Sequence, residues 1–139
     1  MVVTHWDAAL SAHSCYKILK KRGISSHFAI DNDGTIYQLV DPQHIGWHAG
    51  NTRVNNTSIG IDFSNAYYMK YQNYYRKRGF GMRPVITDSV VHGVKLGDHL
   101  GYYDVQLDAY KALLKCLLNH YIRSARQLQR SCKPLPPDQ

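Results

Sequence analysis

The sequence predicts an α/β protein, a mixed central β-sheet flanked by helices, formed by one domain that spans residues 1–139. Three observations carry that expectation. Four runs rich in β-branched, aromatic or other apolar residues (residues 2–6, 27–30, 35–40 and 58–63) are too short for ordinary helices and have the composition of strands. Two stretches with apolar residues at three- and four-residue steps, one after the first run and one near the end of the chain, have the helical period. Asp33-Gly34 stands between two of the strand runs and makes that pair a hairpin. A chain of 139 residues, 44% hydrophobic, closes around a single core.

Val2-Val3-Thr4-His5-Trp6 is the first strand, apolar enough to be buried. Ser11 caps a helix in which Cys15, Ile18 and Leu19 share a face, and Lys20-Lys21-Arg22-Gly23 supplies its basic last turn and glycine stop. Residues 27–30 and 35–40 follow as hairpin strands around Asp31-Asn32-Asp33-Gly34. Residues 41–57 turn polar, with Pro42, Gly46, Gly50 and the pair Asn55-Asn56, which predicts an ordered loop and neither strand nor helix. Residues 58–63 form another buried strand. Residues 65–103 mix tyrosines, basic residues and glycines without a sustained period, and are expected to be an insertion lying over the core. Asp104 caps a long last helix, with Leu107, Tyr110, Leu114, Leu117 and Tyr121 as its apolar stripe. Lys133-Pro134-Leu135-Pro136-Pro137 cannot be helical and has the composition of a linker.

Lysine and arginine outnumber aspartate and glutamate by 17 to 10, a formal charge of +7, which suits a polyanion: nucleic acid, an anionic membrane face or a carboxylate-rich bacterial wall. No nucleic-acid motif accompanies the interleaved tyrosines and arginines near Tyr74, and that reading ranks last. No apolar run is long enough to cross a bilayer and no charged-then-apolar leader opens the sequence, the pattern of a soluble protein. Cys15, Cys116 and Cys132 form no CxxC pair, which argues against a disulfide framework or thiolate zinc knuckle and for buried, reduced thiols.

Eight histidines in so short a chain say more than the charge. His5 lies in an apolar strand beside Trp6, the two side chains on opposite faces, and is either a zinc ligand or a satisfied structural residue. Its companions are Ser25-Ser26-His27-Phe28 with the Asp-Gly hairpin and Tyr37-Gln38-Leu39-Val40, then Trp47-His48-Ala49-Gly50-Asn51, then Asn55-Asn56, then Ser58-Ile59-Gly60-Ile61-Asp62. In this order the blocks resemble the zinc-dependent N-acetylmuramoyl-L-alanine amidases, the family that includes phage lysozyme-type amidases and peptidoglycan recognition proteins. The resemblance is close over residues 2–63 and looser over the last helix.

The resemblance implies the amidase and peptidoglycan-recognition type of fold, and hydrolysis of the amide between the lactyl group of N-acetylmuramic acid and the L-alanine of the stem peptide. It implies zinc, with His5 as the metal ligand; three protein ligands leave a fourth position for water, whose pKa the metal lowers toward about 7. Part of the family places a glutamate base at the position of Asp62, and others a tyrosine just before the histidine of Ser-Ser-His-Phe, where Ser26 stands. Ser26 has no useful basicity, so Asp62 is the expected catalytic base, reaching the water directly or through a second one. Trp47, His48, Asn51 and Asn56 are the expected substrate-binding residues, with loop ordering as the alternative, and His27 is expected either behind the metal ligand or as packing.

The remaining ligands of the family, a histidine after the long helix and then a cysteine or aspartate near a lysine, map onto no residue; His92, His99, Cys116, His120 and Cys132 stand in other contexts. The expectation is therefore an amidase-like domain without its C-terminal zinc-ligand segment, whose own zinc binding is weak or absent. Peptidoglycan or a muropeptide is the expected partner, with no nucleic acid, no membrane span and a monomeric state. A module that recognises muropeptide without cleaving it is the alternative. Localisation, wall chemotype and a lytic, recycling or defensive role are not legible in the sequence.

Overall fold

The computed structural model describes residues 1–131; the proline-rich stretch read as a linker, and Cys132, lie outside the described residues. The elements in chain order are β1 Val2–Trp6, α1 Ala12–Arg22, β2 Phe28–Ile30, β3 Ile36–Gln38, α2 Thr52–Thr57, β4 Ile59–Phe63, a 3-10 turn at Met69–Tyr71, α3 Gln72–Lys77, β5 Val85–Ile86, β6 Val90–Val91, β7 Val94–Lys95, β8 His99–Leu100 and α4 Asp104–Ser131. They divide into two compact units, Met1–Ala109 and a second that starts at Tyr110 within α4.

The first unit is built on a four-stranded sheet of order β1-β4-β2-β3. β4 is parallel to β1 and to β2, and β2 is antiparallel to β3, so the sheet is mixed and the protein α/β. The register places Val2, Thr4 and Trp6 beside Ile59, Ile61 and Phe63, with Phe28 and Ile30 beside Ile61 and Phe63. These side chains share one face, where Ile59, Ile61, Phe63, Phe28 and Ile30 are buried, each contributing roughly 1.5–3 kcal/mol. The opposite face carries Val3, His5, Gly60, Asp62 and Ala29.

α1 begins where Ser11 accepts a hydrogen bond from the Ser14 amide at 3.2 Å and ends at Gly23, whose φ of 65° frees its amide to bond the carbonyls of Leu19 and Lys20. Its buried residues are Ala12 and Cys15, while Ile18 is 50% exposed. The face expected from Cys15, Ile18 and Leu19 is thus turned, because Cys15 sits over Asp62.

Within the polar stretch read as a loop, residues 52–57 are helical. Asn51 caps this α2 by accepting from the Val54 amide at 3.2 Å. Its Thr, Asn and Val residues are weak helix formers, which hides the helix from propensity; cap and tertiary bonds supply the order.

The period-free stretch forms two small two-stranded sheets, β5 with β8 and β6 with β7, together with α3. Ala66, Tyr75 and Leu100 make its core cluster. Arg83 ties it inward: 2% exposed, it donates to the carbonyls of Gly101 at 3.0 Å and Ser64 at 2.8 Å, to Gln106 Oε1 at 3.1 Å and to Asn32 Oδ1. α4 takes Asp104 as its first residue. Cys15 is buried as expected, whereas Cys116 is exposed, to one side of the stripe that Leu113 and Leu117 bury. No helix among the described residues is long and apolar enough to cross a membrane.

Candidate active site

Parallel pairing of β1 with β4 sets His5 directly beside Asp62 on one face of the sheet, one strand at the edge and the other in the centre. Gly60, two residues before Asp62 on the same face, has no side chain, and the ring of His48 occupies the space; a Cβ there would lie 2.5 Å from His48 Cγ. His48 Nδ1 is 3.0 Å from His5 Nε2, and His48 Nε2 is 3.3 Å from Ser58 Oγ. The loop delivers His48 because Asn55 Oδ1 accepts the backbone amides of His48 at 3.2 Å and Ala49 at 2.9 Å. His27 packs edge-to-face on His48, with centroids 5.7 Å apart. Its Nδ1 accepts the Gly60 amide at 3.0 Å, so Nε2 donates to the His44 carbonyl, also at 3.0 Å. His27 thus staples the loop to the central strand.

Asp62 is 5% exposed. Burial raises its carboxyl above the ordinary value, opposed by a hydrogen bond from Ser26 and by the nearby His5 and Cys15; Cys15 Sγ is 3.8 Å from Asp62 Oδ2. Burial, then the charges of Asp62 and Asp7, push the Cys15 thiol far up, which leaves it a weak donor and no nucleophile. Asp7 is pushed up to about 7, chiefly by burial and further by Asp62, against hydrogen bonds from the amides of Ala9 at 2.8 Å and Asn65 at 3.0 Å; its Oδ2 is buried without a partner. Burial and then the charges of His5 and His27 lower the pKa of His48.

The structure thus brings together His5, Asp62, His48 and His27. Trp47, 54% exposed, leads into His48 from the rim, Asn51 is spent on the α2 cap, and Asn56 is exposed on α2. Sequence reasoning missed Asn55, the neighbour that orders the loop, and the pairing of Ser26 with Asp62, which joins the two positions the amidase pattern offers for a base. It also missed Asp7, legible only as the next residue of β1 parity after His5. A groove of about 400 Å³ lies between α1 and β3, lined by Ala12, His13, Tyr16, Tyr37, Gln38 and Leu39; neither His5 nor Asp62 lines it.

The fit to a metal is partial. His5 Nδ1 is a free imidazole donor among the described residues, yet no three His, Cys, Asp or Glu side chains among them converge to hold an ion.

A histidine and a buried carboxylate thus stand side by side on neighbouring parallel strands of a mixed sheet in an α/β protein. The sequence matches the family model for N-acetylmuramoyl-L-alanine amidase (Amidase_2) over residues 1–132, and the chain belongs to that family. It is 32% identical to N-acetylmuramoyl-L-alanine amidase AmiD of Escherichia coli strain K12 over 83 residues, covering 50% of this chain and 30% of that protein. Among solved structures it is similar to AmpDh3 from Pseudomonas aeruginosa, with a TM-score of 0.59 at 23% identity, over 86% of this chain and 44% of the other. A second structure of AmpDh3, in complex with anhydromuramic pentapeptide, gives 0.58 at 24% identity, over 86% and 45%. At these identities the likeness shows the fold. The chain spans less than half the length of these relatives. Members of the family are generally zinc enzymes.

Proposed function

We propose that this chain supplies the catalytic face of a peptidoglycan amidase that hydrolyses the bond between N-acetylmuramic acid and the L-alanine of the stem peptide. The observation that carries the reading is the juxtaposition of His5 and Asp62 on one face of the sheet, in a chain of this family. His5 is the metal ligand of the proposal, and zinc, when bound, polarises the scissile carbonyl and acidifies water.

The other roles belong to the chain's own groups. Asp62 takes the proton of the attacking water; its raised carboxyl is a stronger base than an ordinary aspartate and can return the proton to the leaving amine. Ser26 and Cys15 orient that carboxylate. Trp47 offers an exposed aromatic face to a sugar or peptide at the rim, with Asn56 nearby on α2 and Asn51 holding the turn between them. His27 keeps the loop in place behind His48.

A second reading, recognition of muropeptide without cleavage, is favoured by the deep burial of Asp62 and by the incomplete donor set among the described residues. A muramoyl pentapeptide incubated with the zinc-supplemented protein separates the two, with mass spectrometry reading the released peptide and calorimetry reading binding. Hydrolysis is expected, reduced about 100-fold or more in Asp62→Asn. Binding without release, or a variant within threefold of the parent, overturns the catalytic assignment.

A further inference from the structure

The two small sheets of the period-free stretch are one arm. β5 pairs with β8 at Val85–Leu100 and Ile86–His99, and β6 with β7 at Val90–Lys95 and Val91–Val94; between them the Leu96 amide donates to the Ser89 carbonyl at 2.8 Å. One register runs through all of these contacts, so residues 85–100 form a single interrupted hairpin. His92 and Gly93 close it with φ of 49° and 79°, the paired positive values of a type I′ turn. Its base is fixed, since Leu100 is buried and His99 is buried against Trp6 and Tyr67.

Towards its tip the arm is apolar and uncovered. Cross-strand neighbours share a face, which puts Val91 with Val94 on one side and Val90 with Lys95 on the other. Both sides lie in water: Val90, Val91 and Val94 are 62%, 48% and 61% exposed. A two-stranded hairpin on its own is marginal in water, and here neither face has a layer to pack on. A protein partner laid on one face would leave the other wet, whereas a lipid interface surrounds both.

The stretch that leads into the arm says which lipid. Between Asp62 and Asp88 there is no acidic residue, against five basic ones. Arg83 is spent inside, while Lys70, Arg76, Lys77 and Arg78 are exposed. Lys70 Nζ lies 5.5 Å from the ring centroid of Tyr68 and 5.1 Å from that of Tyr71, and Arg78 Cζ lies 5.3 Å from that of Tyr74, so these cations rest on aromatic faces and keep their charge. Tyr68 in turn bridges to His99, which pairs on its other side with Ile86, and this sets Lys70 at the base of the arm. An anionic bilayer takes up cations, interfacial tyrosines and apolar side chains together; a soluble polyanion would make no use of the valines.

We propose that residues 68–96 are a peripheral membrane-contact surface, whose valine-bearing arm enters the interface of an anionic bilayer while Lys70, Arg76, Lys77 and Arg78 meet the lipid headgroups. The contact needs neither a metal nor turnover, and it stands apart from the amidase reading. It uses the positive charge of the chain, which the residues around His5 and Asp62 leave unexplained.

The full chain is sedimented with vesicles of phosphatidylglycerol and phosphatidylethanolamine and, separately, of phosphatidylcholine alone. Binding is expected on the anionic vesicles, weaker by about tenfold or more on the neutral ones and reduced by added salt. Val90→Ser, Val91→Ser and Val94→Ser combined remove no buried side chain and should weaken binding by about 100-fold. Lys77→Gln with Arg78→Gln should weaken it by about 10–30-fold on anionic vesicles and leave the neutral ones unchanged. Val91→Trp keeps the tip apolar; the emission of the introduced indole should move to the blue with vesicles and be quenched by lipids that carry a quencher on the upper acyl chain. No binding to anionic vesicles, a folded triple-serine variant within about threefold of the parent, or an introduced indole untouched by the lipid quencher overturns the proposal. Equal retention of parent and triple-serine variant on polyphosphate, without vesicle binding, would assign the charge to a soluble polyanion, and a lipid-free dimer that the serines disperse would assign the arm to a second copy; either result sinks the membrane reading.

Discussion

Arg83→Met should destabilise the protein by about 3–5 kcal/mol, a large share of the roughly 5–15 kcal/mol that holds an ordinary domain together. Arg83 is 2% exposed and its guanidinium lies 4.2 and 4.3 Å from the ring centroids of Tyr75 and Tyr103. Methionine keeps the volume and removes the donors. Not all acceptors are then orphaned: the Gly101 carbonyl keeps Asn65 Nδ2 at 2.9 Å, Ser64 keeps Gln106 Nε2 at 3.0 Å, and Gln106 Oε1 keeps the Tyr103 amide at 3.2 Å. Asn32 Oδ1 is the acceptor left bare, at about 1–3 kcal/mol. Two lost cation–π contacts add about 0.5–2 kcal/mol each, and the weakened charge-assisted bonds are partly offset because a guanidinium without a carboxylate partner is itself expensive to bury. Urea unfolding followed by tryptophan fluorescence reads the difference. In a cycle with Asn32→Ala the two changes should couple by about 1–3 kcal/mol. A loss under about 1 kcal/mol with an unchanged slope against urea would refute the view that this arginine locks residues 65–103 to the sheet.

Asp7 has a folded-state pKa of about 7 against 3.8 for the free group, so the folded chain binds that proton more tightly than the unfolded one. Its contribution to stability is complete below about pH 4 and is lost as pH rises to about 7. Asp7→Asn, which keeps an oxygen for the amides of Ala9 and Asn65, should flatten this decline; equal pH slopes in urea titrations of variant and parent would contradict it. Gly60→Ala places a Cβ 2.5 Å from His48 Cγ and should destabilise by about 1–3 kcal/mol while shifting the His48 resonances; an unaltered melt and spectrum would show the ring is not seated there. The dialysed chain should retain well under one equivalent of zinc, since the described residues supply an incomplete donor set; one tightly held zinc by elemental analysis would disprove that.

What could be read from the sequence was what local chemistry decides. Ser11 and Gly23 close α1 with bonds inside one turn, and Asp33-Gly34 closes a hairpin whose partners are neighbours in the chain. The ordered blocks around His5 and Asp62 were legible, and β-strand parity placed both on one face once their strands paired in parallel. Asn55 and Asn56 could not be told apart, because which of two adjacent amides faces the His48 loop depends on a six-residue helix with weak intrinsic propensity. Arg83 was one basic residue among several; its partners come from Asn32, Ser64, Gly101 and Gln106, spread over 75 positions of the chain, and no window of sequence contains them. Ser26 was set aside as non-basic, correctly for its own chemistry, yet its hydroxyl acts on the carboxylate beside it.

The placement of Asp62 on β4, the one strand of the sheet bonded on both sides to parallel neighbours and buried from Ile59 to Phe63, has a consequence for how the molecule fails. Amides of such a strand exchange with solvent only when the whole unit opens, whereas the Trp47 rim, exposed and held through Asn55, opens by local fluctuation. On warming, the Trp47 loop should loosen degree by degree, while the carboxylate keeps its geometry until the cooperative transition and then loses it in one step.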